Sequence, residues 1–260
     1  MSAPIVTEET RDDAPGWWNS APVQSLRRFG EFVTLTDLEM AEVRGLADKP
    51  VALARGAIIR AQGVEPTCVY LLIEGWASAA IDLDDGSRQI TKVHLPGDLI
   101  GTPSMCLTEA ADTLTALTPV VVARLPLDRF ARLFTASPRF AMAMFLSSQR
   151  ERIALMDALT RIGQTSALER LAGLLLDFHE RLSAAGLAQA NQFEIPLRQH
   201  EIADVLGISF VHVNRVFKML AKDGLIRRHM KRIEIVDEAA LIRLAHWAHR
   251  PIATTLSWMV

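Results

Sequence analysis

The side chains best suited to chemistry lie in residues 197–232, LRQHEIADVLGISFVHVNRVFKMLAKDGLIRRHMKR. Eight cations stand there (Arg198, Arg215, Lys218, Lys222, Arg227, Arg228, Lys231 and Arg232) against the acids Glu201, Asp204 and Asp223. The whole chain carries a net charge of -2, so this local excess of positive charge points to a polyanionic partner. The Arg215 fork can donate two hydrogen bonds to O6 and N7 of a guanine, which is direct base reading. Asn214 suits an adenine edge or a phosphate. His212, Lys218 and Arg198 suit phosphates, contacts that position a protein without specifying sequence. Phe210 can touch a thymine methyl or pack as a half-buried helix start, and Val211 has no hydrogen-bonding group at all.

Those residues need a scaffold, and the spacing around them supplies one. A short helix over 200–206 turns Ile202, Ala203 and Leu206 inward, and Gly207 makes the turn. Ser209 then caps a second helix over 210–222 with Val213, Val216, Phe217 and Leu220 as its apolar stripe. Helix, tight turn and helix followed by a basic hairpin is the layout that places one helix in the DNA major groove. Upstream, Ser166 and Glu169 form a capping box for a helix reading ALERLAGLLLDFHERL, and Gly163 to Ser166 is the expected hinge. Residues 138–163 read as one long helix opened by Pro138. Phe145, Arg152, Leu155, Met156 and Leu159 recur on it every three to four residues over most of its length, as a dimer seam or as packing on the chain's own body.

Residues 49–126 change character. Short β-rich runs such as CVYLLIEG and WASAAIDLDDG alternate with Gly56, Gly63, Gly75, Gly86 and Gly97. That rhythm, with a hairpin turn at Asp85-Gly86, predicts an antiparallel β-roll of jelly-roll type. The fold class is therefore α+β: an N-terminal β-roll, a long helix and a C-terminal winged helix-turn-helix. The expected divisions are an acidic leader over 1–22, a sensor over 23–137, a dimerisation helix over 138–163, a reader over 164–246 and an apolar extension over 247–260. Within the sensor, helical spacing begins at Leu26 and runs to Ala47, with a capping box at Thr36 and Glu39. Trp17 and Trp18 are expected to dock on the body, as are Trp247, Ile252, Leu256, Trp258 and Met259 of the extension.

Composition narrows the function. No apolar run approaches the roughly 18–20 residues that cross a bilayer, so no membrane partner is expected. The start, with Glu8, Glu9, Asp12 and Asp13 against Arg11, lacks the features of a signal peptide, and a cytoplasmic protein is expected. Cys68 and Cys106 are the only cysteines, with no metal-ligand spacing around them, so no metal site is expected. No Gly-rich phosphate loop, H-E-x-x-H or nucleophile–base pair at motif spacing is present, so the chain does not read as an enzyme.

With ARGAIIRAQG, VYLLIEGWASAAI and LPGDLIG, then ERLAGLLLDFHERL, then HEIADVLGISFVHVNRVFKMLAKDGLI in that order, the chain resembles the Crp/Fnr superfamily of bacterial transcription regulators from about Leu26 to Val236. The resemblance implies a cyclic-nucleotide-binding-like β-roll and a homodimer on a pseudo-palindromic site in double-stranded DNA, with RNA polymerase as a possible partner. It makes Arg215 the family's base-reading arginine. It places Phe210 and Val211 where relatives carry base readers, including a glutamate, so the family's best-known half-sites are not expected. In the sensor, cAMP-binding members follow the loop glycine with a glutamate for the ribose and an Arg-Ser or Arg-Thr pair for the phosphate. Here Gly101 is followed by Thr102, and Asp112-Thr113 stands in place of the pair. Leu155 and Met156 replace base-binding hydroxyls. A carboxylate facing a phosphate is repulsive, so cAMP is not the expected effector. Two cysteines exclude an intrachain four-cysteine iron–sulfur cluster. A haem ligated by His94 and redox chemistry at Cys68 or Cys106 are each less expected than structural roles. Two readings stay open: an apolar pocket filled by Met105, Leu107, Leu114, Leu155 and Met156 without effector, or an unknown small-molecule effector. The rival function is a sensor module acting through a protein partner, which the basic reader disfavours.

Overall fold

The computed structural model describes residues 36–251; the leader, its tryptophans, the helical spacing over 26–35 and the extension beyond 251 lie outside the described residues. The chain divides into two units, one ending at Gln149 and one beginning at Arg150.

The first unit is organised by two strands that are buried on both faces. β1 (Val51–Leu53), β2 (Ile58–Arg60), β3 (Cys68–Glu74), β4 (Ala77–Asp82), β5 (Arg88–His94), β6 (Leu99–Ile100), β7 (Thr113–Ala116) and β8 (Val120–Pro126) form two four-stranded antiparallel sheets. Their orders are β1-β8-β3-β6 and β2-β7-β4-β5. Side chains alternate along a strand. Cys68, Tyr70 and Leu72 of β3, with Val120 and Val122 of β8, meet Ala77, Ala79, Leu114 and Ala116 of the opposite sheet. Val69, Leu71, Ile73, Val121, Ala123 and Leu125 point the other way, onto helices. Those helices are α1 (Asp37–Leu46), α2 (Leu127–Ala136) and the start of α3 (Pro138–Gln164), which contribute Val43, Phe130, Leu133, Phe140, Ala143 and Met144. An unbroken apolar run is what a strand with both faces covered requires. Thr36 caps α1 with Glu39, as the spacing indicates.

The second unit holds the end of α3 and then α4 (Ala167–Ala184), β9 (Gln192–Glu194), α5 (Gln199–Leu206), α6 (Phe210–Lys222), β10 (Ile226–His229), β11 (Arg232–Ile235) and α7 (Glu238–Leu244). β10, β11 and β9 form a small antiparallel sheet, with Arg228 opposite Ile233 and Ile233 opposite Phe193. Leu171, Leu175 and Phe178 of α4, Ile202 and Leu206 of α5, and Val213, Val216, Phe217 and Leu220 of α6 are all buried. Gly163 does not end the long helix, which continues to Gln164 before the chain breaks at Thr165-Ser166. The break is where α4 starts its own cap. The Ser166 N–H donates to the Glu169 carboxylate at 2.6 Å, and the Glu169 N–H donates to the Ser166 hydroxyl at 3.4 Å. These bonds hold the Glu169 carboxyl below its ordinary pKa. Ser166→Ala is expected to lower unfolding stability by about 1 kcal/mol, measured by urea denaturation.

Candidate nucleic-acid interface and sensor site

The reader is built around α6. Ser209 accepts from the His212 N–H, so the cap sits where the sequence places it, and Gly207 ends α5 in the left-handed region at φ 64°. The turn between the two helices is pinned from below by Arg170 of α4, which donates to the Leu206 carbonyl at 3.0 Å and to the Thr165 carbonyl at 3.1 Å. One side chain thereby ties the last carbonyl of α5 to the carbonyl of Thr165 in the break between α3 and α4. With the apolar stripe turned inward, Phe210, Val211, Arg215 and Lys218 stand exposed on the outer face. Among the described residues neither Arg215 nor Lys218 has an ion-pair partner. Together with Met219 and Lys222 they line an open groove of about 450 Å3.

Asn214, which suits an adenine edge or a phosphate by type, is paired with Gln199 in the folded chain. Gln199 donates to the Asn214 amide oxygen at 2.7 Å, and Asn214 donates back to the Gln199 oxygen at 2.8 Å. The pair ties α5 to α6 and fixes how the Asn214 amide is turned. Arg198 is exposed at the start of α5, where its backbone N–H donates to Glu201 at 2.5 Å and leaves the guanidinium outside. His212 is half-buried.

The wing cations divide by their partners. Arg227 pairs with Glu234 at 3.0 Å and Arg232 with Glu194 at 3.5 Å. Arg228 lies over the Phe217 ring at 4.0 Å, and burial lowers its pKa. Lys231 stays exposed beside Met230, whose φ of 54° makes the two-residue tip. Lys231 is thus the wing cation best presented to an anion.

Residues after α7 pack back onto the last turns of α3. Arg161 lies over Trp247 at 5.4 Å, and Arg250 grips Asp157 through two bonds of 2.7 and 2.8 Å. That guanidinium holds the Asp157 carboxyl below its ordinary pKa. Gly173 makes room for the arginine: a Cβ there would sit 2.9 Å from the Arg161 Cδ.

Within the first unit, Met105, Leu107 and Leu114 do not gather into one apolar cluster. Leu107 is exposed, Leu114 sits between the sheets, and Met105 packs on the helix-side core. Leu155 and Met156 belong to the second unit and are exposed on α3. At Gly101 and Asp112 the space is taken by Arg60 from the end of β2. Its guanidinium donates to the Gly101 carbonyl at 3.2 Å, to the Ser104 hydroxyl at 3.1 Å and to the Asp112 carboxylate in a short ion pair. The Ser104 hydroxyl bonds Asp112 at 3.0 Å and accepts from the Ala111 N–H. The Arg60 side chain is only 3% exposed, and its Nε–H finds no acceptor among the described residues. Gly101, at φ 88°, lets this happen, since a Cβ there would lie 3.0 Å from an Arg60 nitrogen. Asp112 therefore faces an internal cation instead of an empty anion site. Thr113 is occupied as well: its hydroxyl donates to Asp82 at 2.6 Å and accepts from the Gln62 N–H. Thr102 is half-buried at the start of a 3₁₀ turn over Thr102–Cys106.

His94 is buried 3.2 Å from the Asp98 carboxylate, Cys68 is buried and Cys106 is exposed, both cysteines being free thiols. Sequence reading does not find Arg60, Ser104, Gln199 or Arg170. Arg60 is polar at the end of an apolar strand, IIR, whereas Ser104, Gln199 and Arg170 stand in segments of mixed polarity and carry no such signal.

With this geometry in view, residues 50–137 match the model of the cyclic nucleotide-binding domain and residues 169–244 that of the Crp-like helix-turn-helix domain. The chain is 30% identical over 193 residues to the transcriptional activator protein FnrA of Stutzerimonas stutzeri, covering 74% of this chain and 79% of that one. It is 27% identical over 213 residues to the transcriptional activator protein anr of Pseudomonas aeruginosa, covering 82% and 87%. FixK2 from Bradyrhizobium japonicum shares the fold with a TM-score of 0.70 at 22% identity, over 78% of this chain and 99% of that one. The c-di-GMP responsive regulator CLP of Xanthomonas campestris gives 0.65 at 17% identity, over 78% and 100%. The relatives are transcription regulators and not enzymes. Two domain matches in the same order and an FnrA likeness across most of both chains place this chain in the Crp/Fnr family of transcription regulators.

Proposed function

We propose that this regulator acts as a homodimer on a pseudo-palindromic DNA site, with α6 of each protomer in the major groove, and that it does so without cAMP. The observation that carries the reading is the outer face of α6, where Arg215 and Lys218 stand exposed on a helix whose opposite stripe is buried. Arg215 reads a guanine, while Lys218, Lys222, Arg198, His212 and Lys231 engage phosphates. Ser209 orders the first turn. A gel shift on genomic fragments with a salt titration tests this. Binding should weaken steeply with salt, and a salt-insensitive interaction would count against it.

Dimerisation is supported by α3. Phe145, Leu155, Met156 and Leu159 are exposed on it, Leu159 to 72%, with Arg152 exposed among them. Burying such side chains in a partner contributes about 1.5–3 kcal/mol each. Leu159→Asp is expected to shift the protein from dimer to monomer in light scattering and to weaken binding to a two-half-site duplex. A dimer of unchanged stability would rule that seam out.

The self-filled site around Arg60 and Asp112 supports the absence of cAMP, because a cyclic phosphate would have to displace a carboxylate already paired to the buried cation. No iron–sulfur or haem cofactor is part of the reading. Control then rests on another effector or on the protein's abundance. Contact with RNA polymerase is the step by which the bound dimer would act on transcription. No described helix is long and apolar enough to cross a membrane, and action on DNA fits a cytoplasmic site.

A further inference from the structure

We propose that α6 reads its half-site mainly through C5-methyl groups, with Phe210 and Val211 seated on thymine methyls beside the guanine taken by Arg215. The inference rests on α6 being the DNA-reading helix.

The first turns of a recognition helix are the part that reaches base edges. On α6 those turns present four outward side chains: Phe210, Val211, Asn214 and Arg215. Phe210 is 58% exposed and Val211 is 63% exposed, although neither has a polar atom in its side chain. The fold does not use them, because its core lies on the opposite stripe at Val213, Val216, Phe217 and Leu220. The one amide among the four is already engaged. Turning Asn214 so that both its ends meet an adenine would break both bonds to Gln199. The Ser209 hydroxyl is committed to the cap. Arg215 is thus the one side chain of this set with its directional donors free for a base edge.

An apolar surface in the major groove has one complementary partner. The C5-methyl of thymine is the only apolar group that the four natural base pairs present there. The groove beside Phe210 and Val211 ends in Lys218 and Lys222, cations that can hold phosphates while the apolar end meets base edges. Two chemical consequences follow. Uracil keeps every hydrogen-bonding group of thymine and loses only the methyl, so it should be discriminated against. A 5-methylcytosine carries a methyl at the same ring position, so it should be preferred to cytosine there. The protein would then sense cytosine methylation at those positions.

The test starts from a site selected out of random duplexes with the full-length protein. Each thymine of the half-site is then replaced in turn by deoxyuridine, and binding is followed by fluorescence anisotropy. One or two positions next to the Arg215-dependent guanine should lose about three- to five-fold in affinity, the size expected for one methyl contact. Cytosine at the same positions should gain on 5-methylation. Val211→Ala and Phe210→Ala, checked for folding by their melting curves, should each abolish the uracil effect at one position. Val211→Glu should shift the preference there to cytosine, whose amino group can donate to the carboxylate. A selected half-site with no thymine beside the guanine, indifference to uracil throughout, or a uracil effect that survives both alanine variants would overturn the inference and leave the DNA-reading role standing. Failure to select any sequence would instead strike the parent reading and this one with it.

Discussion

Asp112→Ala is expected to destabilise the protein by about 3–5 kcal/mol in equilibrium unfolding, the range for removing one partner of a buried ion pair. The Arg60 guanidinium has nowhere else to go. Its side chain is almost wholly buried, its Nε–H lacks an acceptor among the described residues, and the Gly101 carbonyl and Ser104 hydroxyl hold it in place. Deleting the carboxylate leaves a desolvated charge, and that penalty exceeds the attraction lost. Asp112→Asn should cost less, since an amide oxygen can still accept from the guanidinium. Replacing both residues, with Arg60→Leu and Asp112→Leu together, should recover most of the loss, because apolar pairs of similar volume substitute well for buried ion pairs. Against a typical total of about 5–15 kcal/mol, the single substitution would be visible as a large fall in the urea midpoint. A loss under about 1 kcal/mol would show that water reaches the guanidinium.

Arg215→Ala should weaken binding to the preferred site by about 1–3 kcal/mol, roughly 5- to 150-fold, and relax the preference at one base pair. Among the described residues the exposed fork has no ion-pair partner that its loss would strand, so the folded protein itself should melt unchanged. Lys218→Ala should differ in kind, weakening all sequences alike and reducing the salt slope. Anisotropy titrations on the preferred duplex and on a scrambled one separate the two. Equal losses on both duplexes after removing Arg215 would reduce it to a phosphate contact.

What the sequence made legible is what is local. The recognition helix runs from Phe210 to Lys222 under a Ser209 cap, and α4 begins at its Ser166–Glu169 box, because caps and helical stripes act over three or four residues. The β-roll was legible as a rhythm of short runs and glycines. Pairings over long separations were not. Arg60 and Asp112 stand 52 positions apart, and no periodicity links a lone arginine at the end of a strand to a carboxylate before another. The same holds for Gln199 and Asn214, which meet only because α5 packs on α6. An aspartate in the phosphate-binding position reads from sequence as repulsion, whereas the fold supplies its counter-charge from β2. Gly163 lies one residue inside the end of α3, and the break expected over 163–166 falls at Thr165-Ser166.

The central claim, a sequence-specific DNA reader whose sensor needs no cyclic nucleotide, can be put to one titration. The full-length protein is titrated against its selected duplex and a scrambled duplex at fixed salt, with and without cAMP, by fluorescence anisotropy. The account predicts a preference for the selected duplex of at least about 10³-fold, unchanged by cAMP. Equal affinity for the two duplexes, or a preference that appears only when cAMP is added, would contradict it.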